Sequence, residues 1–334
     1  MERLALIESP GPGGVPGPDD TPGWLCALLE NTRVTDICIN GTSAIFADSG
    51  DGMRKIPTGA VWDNDAMMRW TLARLSLAGK TWDARHPFAD ACIPPCHRLH
   101  AAFPPVSGPG MLLSLRRLPG LARNNSIVQN TSAERIARWG AGNGHYQALV
   151  EATIRGDSII IAGSTGSGKT TLACDLLSEV PPEERIIALE DTQELSPVHP
   201  HFLSLASRPP NADGCGEITL RTLLRQTLRM RPDRIVLGEC RGAEVLDLLQ
   251  AINTGHRGAM ATLHASSPRD ALRRIELLCL IASGGSIPSA LARELIASGI
   301  QWVAHIGRHG PARIIKELWQ IAGREGDTIL MRKV

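Results

Sequence analysis

The sequence predicts a two-domain chain of the α/β class, with a smaller α+β domain leading into a larger domain of alternating strands and helices. Three observations point there. The chain has 334 residues, more than one typical domain. Hydrophobic residues make up 43% of it, enough for real cores. Its early strands alternate apolar and polar residues, whereas the later ones are continuous apolar runs separated by helical stretches.

Residues 1–21, rich in Pro, Gly and Asp, read as a flexible tail that lacks the apolar stretch of a signal peptide. The N-terminal domain, residues 22–118, begins with a short amphipathic helix in "WLCALLE". In "TDICIN", Ile37 and Ile39 share one strand face, and Asp36, Cys38 and Asn40 the other. Asn40-Gly41 marks a tight turn, so "SAIFAD" is the returning strand of a hairpin. Helical spacing covers residues 64–78, with Asp65 near the start and Gly79 just past the end. "RLHAAFPPVSGPGMLLSLRR" then reads as strand, proline turn, strand. Polar, turn-rich residues 119–132 form an interdomain linker, and Ser132 is a candidate cap for a helix starting at Ala133. From 133 to 334, "SIIIAG", "RIIALE", "RIVLGE" and "AMATLHA" alternate with helical segments, which implies a parallel sheet covered on both faces.

Composition excludes several classes. A net charge of +1 provides no global field for nucleic acid or an acidic membrane surface. No window approaches the roughly 18 apolar residues of a membrane helix, which places the chain in the cytoplasm with peripheral membrane association left open. The eight cysteines, scattered mostly through apolar runs, suit reduced thiols. Cys92, Cys96, His97 and His100 have metal-ligand chemistry, but no second CxxC pair supports a zinc site and the two prolines in "CIPPCHRLH" look structural.

The most specific signal is "GSTGSGKTT", residues 163–171, which fits G-x-x-x-x-G-K-[ST]. An apolar strand runs into it and a helix leaves it. Backbone N–H groups of Gly163, Ser164, Thr165, Gly166, Ser167 and Gly168 can turn inward on phosphate oxygens, helped by the helix N-terminus. Lys169 would neutralise the β- and γ-phosphates, Thr170 would place its hydroxyl on Mg²⁺, and Thr171, next in the chain, is a further candidate nucleotide contact. The predicted ligands are therefore a nucleoside triphosphate and Mg²⁺, on a RecA-like P-loop NTPase domain.

Two acidic strand ends follow. "RIIALEDTQEL" presents Glu190 and Asp191; "RIVLGECRG" presents Glu239 after a glycine, where such folds usually place Asp. Ligands of an open parallel sheet collect at the carboxyl ends of its strands, so both sites can face the phosphates. The extra methylene of Glu239 lets it serve as base or water-orienter. His264 ends the strand "AMATLHA", where a neutral imidazole can sense the γ-phosphate, and Gly255 and Gly258 nearby favour a functional reading. Arg221, Arg225 and Arg229 recur at i, i+4 and i+8 on one predicted helix face, with Arg231 beyond. Arg229 and Arg231 are the candidates for cations acting from a neighbouring subunit. Arg98 and Arg116 flank the "FPPVSG" turn and are candidate nucleotide contacts from the N-terminal domain.

Four blocks, "GSTGSGKTT", "LEDTQEL", "RMRPDRIVLGECRG" and "GHRGAMATLHA", together resemble the type II/type IV secretion-system ATPases, most of all the conjugal-transfer (TrbB-type) and VirB-type members. In that family they are the Walker A box, Asp box, degenerate Walker B and His box. "VTDICIN", "RLHAAFPPVSGPGMLLSLRR" and "ALARELIASGIQWVAHIGR" extend the resemblance over most of the chain. The resemblance implies a homohexamer of two-domain subunits, with ATP between the domains and hydrolysis driving secretion, conjugative transfer or pilus assembly at the inner membrane. It implies inner-membrane channel or pilus-assembly proteins as partners. It also carries phosphate and Mg²⁺ binding to Lys169 and Thr170, support of hydrolysis to Glu239, metal assistance to Glu190, sensing to His264, and nucleotide contact to Arg98 and Arg116. The Pro/Gly tail and the linker region depart from the family pattern.

Three other readings compete. A type II secretion or type IV pilus motor is the nearest, although the four-cysteine insertion of many type II motors has no counterpart here. A nucleic-acid-dependent RecA-like motor would need an aromatic-basic stripe, and no direct sequence-specific nucleic-acid binding is expected. A scaffold that binds ATP only to assemble would not turn it over.

Overall fold

The computed structural model describes residues 21–42, 44–50, 52–56, 62–80, 82, 87–108, 110–118, 132–139, 144–211, 214–309 and 312–334. They form two compact units, one from the described residues up to 118 with Gly214 and Cys215, the other from the remainder. Residues 1–20 of the tail and the linker up to 131 lie outside the described residues; Ser132 opens a helix rather than preceding one.

In the N-terminal unit, α1 (Gly23–Glu30) precedes the hairpin β1 (Asp36–Asn40) and β2 (Ala44–Asp48), then β3 (Met53–Lys55). After α2 (Asn64–Leu77) come β4 (Phe88–Ile93), β5 (His97–Ala102) and β6 (Leu112–Arg117). The sheet runs β3-β2-β1-β6-β5-β4, antiparallel throughout. Alternation does the work: Ile37, Ile39, Ala89, Ala91, Ile93, Leu113 and Leu115 turn inward, and the intervening residues face out. Asp63 caps α2 by accepting from the Asp65 amide at 2.8 Å. Trp24, Trp62 and Trp70 meet edge to face at 5.7 and 5.5 Å, each contact contributing about 0.5–1.5 kcal/mol beyond the area it buries. The same alternation separates the candidate zinc ligands. Cys92 is exposed while Cys96 and His97 are buried, and among the described residues no group of three His, Cys, Asp or Glu could hold a metal.

The C-terminal unit begins with α3 (Ser132–Trp139) and α4 (His145–Arg155), followed by β7 (Ile159–Gly163) and α5 (Lys169–Leu177). Next are β8 (Ile186–Glu190), β9 (Phe202–Ala206), α6 (Leu220–Thr227), β10 (Arg234–Leu237) and α7 (Glu244–Asn253). The chain closes with β11 (Met260–Leu263), α8 (Pro268–Ala282), α9 (Ser289–Gly299), β12 (Trp302–His309), β13 (Ala312–Glu325) and β14 (Thr328–Lys333). Sheet order is β14-β13-β12-β7-β11-β10-β8-β9. From β12 to β9 every pairing is parallel, as the alternating pattern predicts. The expected all-parallel sheet is nonetheless extended by antiparallel β13 and β14, because the short β12–β13 connection can only return the chain antiparallel. Both faces are covered. Ile160, Ala162, Leu189 and Leu237 pack with α6 to α9, and Ile159, Ile161, Ala188 and Val236 pack with α3 to α5. That is why β7, β8, β10 and β11 are buried along their whole length.

The predicted arginine stripe breaks in the structure. α6 ends at Thr227, so Arg229 lies beyond it, while Arg221 and Arg225 both reach Asp247 on α7 and tie the two helices together. Gly258 has a steric duty at the amino end of the sheet. A Cβ there would lie 2.0 Å from the Arg234 guanidinium, a buried group that pairs with Glu184 at the amino end of β10. It makes room for a structural ion pair.

Candidate active site

β7 delivers the phosphate loop, and sterics explain its fixed glycines. A Cβ on Gly163 would stand 2.7 Å from both the Ile306 carbonyl of β12 and the Ser167 hydroxyl. Gly168 has a φ of +100°, and a Cβ on it would lie 2.7 Å from the Arg313 side chain. Ser164, Thr165 and Gly166 are exposed, whereas Ser167 is buried with its hydroxyl donating to the Ser164 carbonyl at 2.8 Å. Lys169 opens α5 and folds its ammonium back onto the carbonyls of Gly163 and Ser164, at 3.1 and 3.0 Å. Thr170 and Thr171 follow in the first turn of the helix.

Three strand ends converge beside this lysine. His264, directly after β11, lies with Nε2 3.0 Å from Glu239 Oε1 and with both ring nitrogens 3.4 Å from Lys169 Nζ. A carboxylate only accepts, so Nε2 carries the proton and Nδ1 is the nitrogen open to the ammonium. Burial, then the Lys169 charge, lower the His264 pKa and keep the ring neutral. Burial likewise lowers that of Lys169, partly offset by Glu239. For Glu239, burial pushes upward, but the hydrogen bond and charge of Arg241, with the Lys169 charge, outweigh it, so its carboxyl stays below the usual range. Glu239 is thus an ionised carboxylate held between imidazole and guanidinium.

Arg241 escaped the sequence reading, although it lies inside the stretch that raised Glu239. It donates to Glu239 Oε2 at 2.5 Å and reaches Asp191 at 3.9 Å. A guanidinium two residues after a strand-end carboxylate was the available signal.

Glu190 occupies a different setting. It is 3% exposed and accepts from the amides of Glu194 and Leu195, both at 2.9 Å, and from the Ser204 hydroxyl at 2.6 Å. Burial raises its pKa, opposed by the Ser204 hydrogen bond and then the two amides. Its Cγ would lie 2.8 Å from a Cβ on Gly238, so the glycine before Glu239 is needed for the Glu190 side chain to pass. Asp191 accepts from the Ser207 hydroxyl at 2.9 Å.

The remaining predicted residues are elsewhere. Arg229 and Arg231 precede β10, at the amino edge of the sheet, whereas the phosphate loop follows the carboxyl end of β7. Arg231 is exposed with φ +53°, a backbone conformation rarely adopted by a side-chain-bearing residue. Arg98 and Arg116 are cross-strand neighbours in the N-terminal unit, paired with Asp90 at 3.5 Å and Asp36 at 2.7 Å.

Comparison with known proteins decides the family. The family described as Type II/IV secretion system protein matches residues 21–306. The chain belongs to this family of secretion ATPases. It is 38% identical over 299 residues to a putative conjugal transfer protein of Mycobacterium tuberculosis, covering 87% of this chain and 81% of that protein. Protein VirB11 of Agrobacterium fabrum is 28% identical, covering 90% and 93% respectively. Among solved structures, the Legionella pneumophila ATPase DotB superposes with a TM-score of 0.60 at 20% identity, over 88% of this chain and 79% of that one, which shows a shared fold. The α/β architecture of this chain agrees with that shared fold.

Proposed function

We propose that this chain is a homohexameric motor that hydrolyses ATP to power type IV secretion or conjugative transfer. The observation that carries the reading is the convergence of Lys169, His264 and Glu239 on one side of the phosphate loop. ATP is the proposed substrate. Lys169 and the loop amides bind its β- and γ-phosphates, and Glu239 takes up or orients the proton of the attacking water. Water oxygen bonds to the γ-phosphorus, the bond to the ADP oxygen breaks, and the products are ADP, phosphate and a proton. His264 donates Nε2–H to Glu239 and keeps the carboxylate aimed. Mg²⁺ fits the donor set. The half-buried Thr170 hydroxyl makes no hydrogen bond to another described residue, and an oxygen donor at the helix start suits a hard cation that keeps most of its waters. When bound, the ion offsets charge on the triphosphate.

Arg229 and Arg231 are proposed to act on a neighbouring subunit's nucleotide, a reading supported by their exposure and by the left-handed backbone at Arg231. Arg98 and Arg116 are proposed nucleotide contacts, as adjacent guanidiniums on an exposed strand face. Glu190 is the weakest metal candidate, since protein donors already engage its carboxylate. A cytoplasmic position at the inner membrane, with channel or pilus-assembly proteins as partners, follows from the family; among the described residues no helix is long and apolar enough to cross a membrane.

The test is oligomeric mass with and without MgATP, alongside specific activity from nanomolar to micromolar subunit. Activity that rises with concentration as a hexamer forms is expected. Constant specific activity from a monomer would overturn the ring.

A further inference from the structure

The phosphate loop has a second flank that this mechanism does not use. In the sheet, β7 lies between β11, whose end carries His264, and β12. From the β12 side, Arg308 Nε lies 3.4 Å from the Gly166 carbonyl, and Arg313 of β13 donates to the Thr171 hydroxyl at 3.4 Å. The two arginines are register partners across the β12–β13 pair. Like charges directly opposite one another in an antiparallel pair are unfavourable unless something offsets them. Among the described residues neither is in an ion pair; the charges bearing on Arg313 are those of Arg308 and Arg138, both positive. Arg138 already has a partner in Asp175. Burial, then these two cations, lower the pKa of Arg313. Its stem is fixed against Gly168, so the guanidinium is held at the first turn of α5 without a protein anion.

On the nucleotide reading above, a triphosphate along the loop with its γ end at Glu239 and His264, on the β11 side of β7, would have its other end towards β12. We propose that Arg308 and Arg313 form the subsite for the nucleoside-side phosphate, so that they bind ATP and ADP alike and take no part in bond cleavage. This rests on the nucleotide reading above, and it predicts a separation of affinity from turnover. Paired guanidiniums recognise phosphate oxygens with charge-assisted hydrogen bonds, and two of them contribute roughly tenfold or more to affinity.

The experiment is ADP affinity and ATP hydrolysis by the full chain, wild type against Arg308→Gln/Arg313→Gln. The double variant should weaken ADP binding and raise KM by about tenfold or more, with kcat within about twofold and a shallower salt dependence of binding. Arg308→Lys/Arg313→Lys should recover most of the affinity. Arg308→Gln alone, at an exposed side chain, should still weaken ADP binding by about threefold if the double variant does not fold. Unchanged ADP affinity in the glutamine variants, or a fall in kcat at constant KM, overturns the subsite. Wild-type protein that fails to bind ADP sinks the nucleotide reading and this subsite with it.

Discussion

The two sheets of this protein place their polar chemistry in different ways. The antiparallel sheet of the N-terminal unit buries one face and leaves the other open, so Arg98, Arg116 and His100 stand in mid-strand beside Asp90 and Asp36. The central strands β7, β8 and β10 of the C-terminal sheet are closed on both faces, and mid-strand positions there are apolar. Its reactive groups can sit only where strands stop, which is where Lys169, Glu239 and His264 gather. Open faces tolerate change, whereas closed sheets put both chemistry and fragility at their ends.

The largest expected effect is at such an end. Lys169→Ala removes the ammonium at the loop and should reduce phosphate release by about a hundredfold or more, with little change in thermal midpoint. Hydrolysis at wild-type level would break the assignment of chemistry to the strand ends. At the opposite end, Gly258→Ala forces the Arg234 guanidinium from its place. A loss of about 1–3 kcal/mol in denaturant unfolding is expected, with hydrolysis retained at low temperature.

A buried histidine sharpens the contrast for the N-terminal unit. His97 is 1% exposed with neither ring nitrogen partnered among the described residues, and burial, then the Arg117 charge, lower its pKa to about 4. The unfolded chain holds that proton from the ordinary 6.5 downward, so stability is lost as pH falls from 6.5 towards 4. Relative to His97→Gln, the wild-type thermal midpoint should drop by a further few degrees across that window; parallel curves would remove the assignment. The smallest effect is expected on the open face. Arg98→Ala breaks an exposed pair and should cost about 1 kcal/mol or less, so that any marked loss of ATP affinity in this variant reports on nucleotide contact and not on folding.

Much of this was legible locally. The phosphate loop, the Gly-Glu strand end and His264 each announce themselves within a few residues, and the structure brings them together at the ends of adjacent strands. Other features depended on distant neighbours. Glu190 reads as a free strand-end carboxylate until Ser204 and the amides of 194 and 195 close on it. Arg313 was hidden because β13 disguises its period. Its buried residues Ile315, Leu318 and Ile321 recur every third position, a helical spacing, in a strand whose pairings shift register at 305/306 and 321/323. β9, half-exposed at the sheet edge, carries neither alternation nor a continuous apolar run.

Binding and turnover measured side by side on Glu239→Gln probe the heart of the account. With MgATP saturating, the variant should hold nucleotide with wild-type affinity while phosphate release falls by roughly 10–100-fold, because the phosphate loop is intact and only the proton acceptor is lost. Phosphate release at the wild-type rate would contradict it.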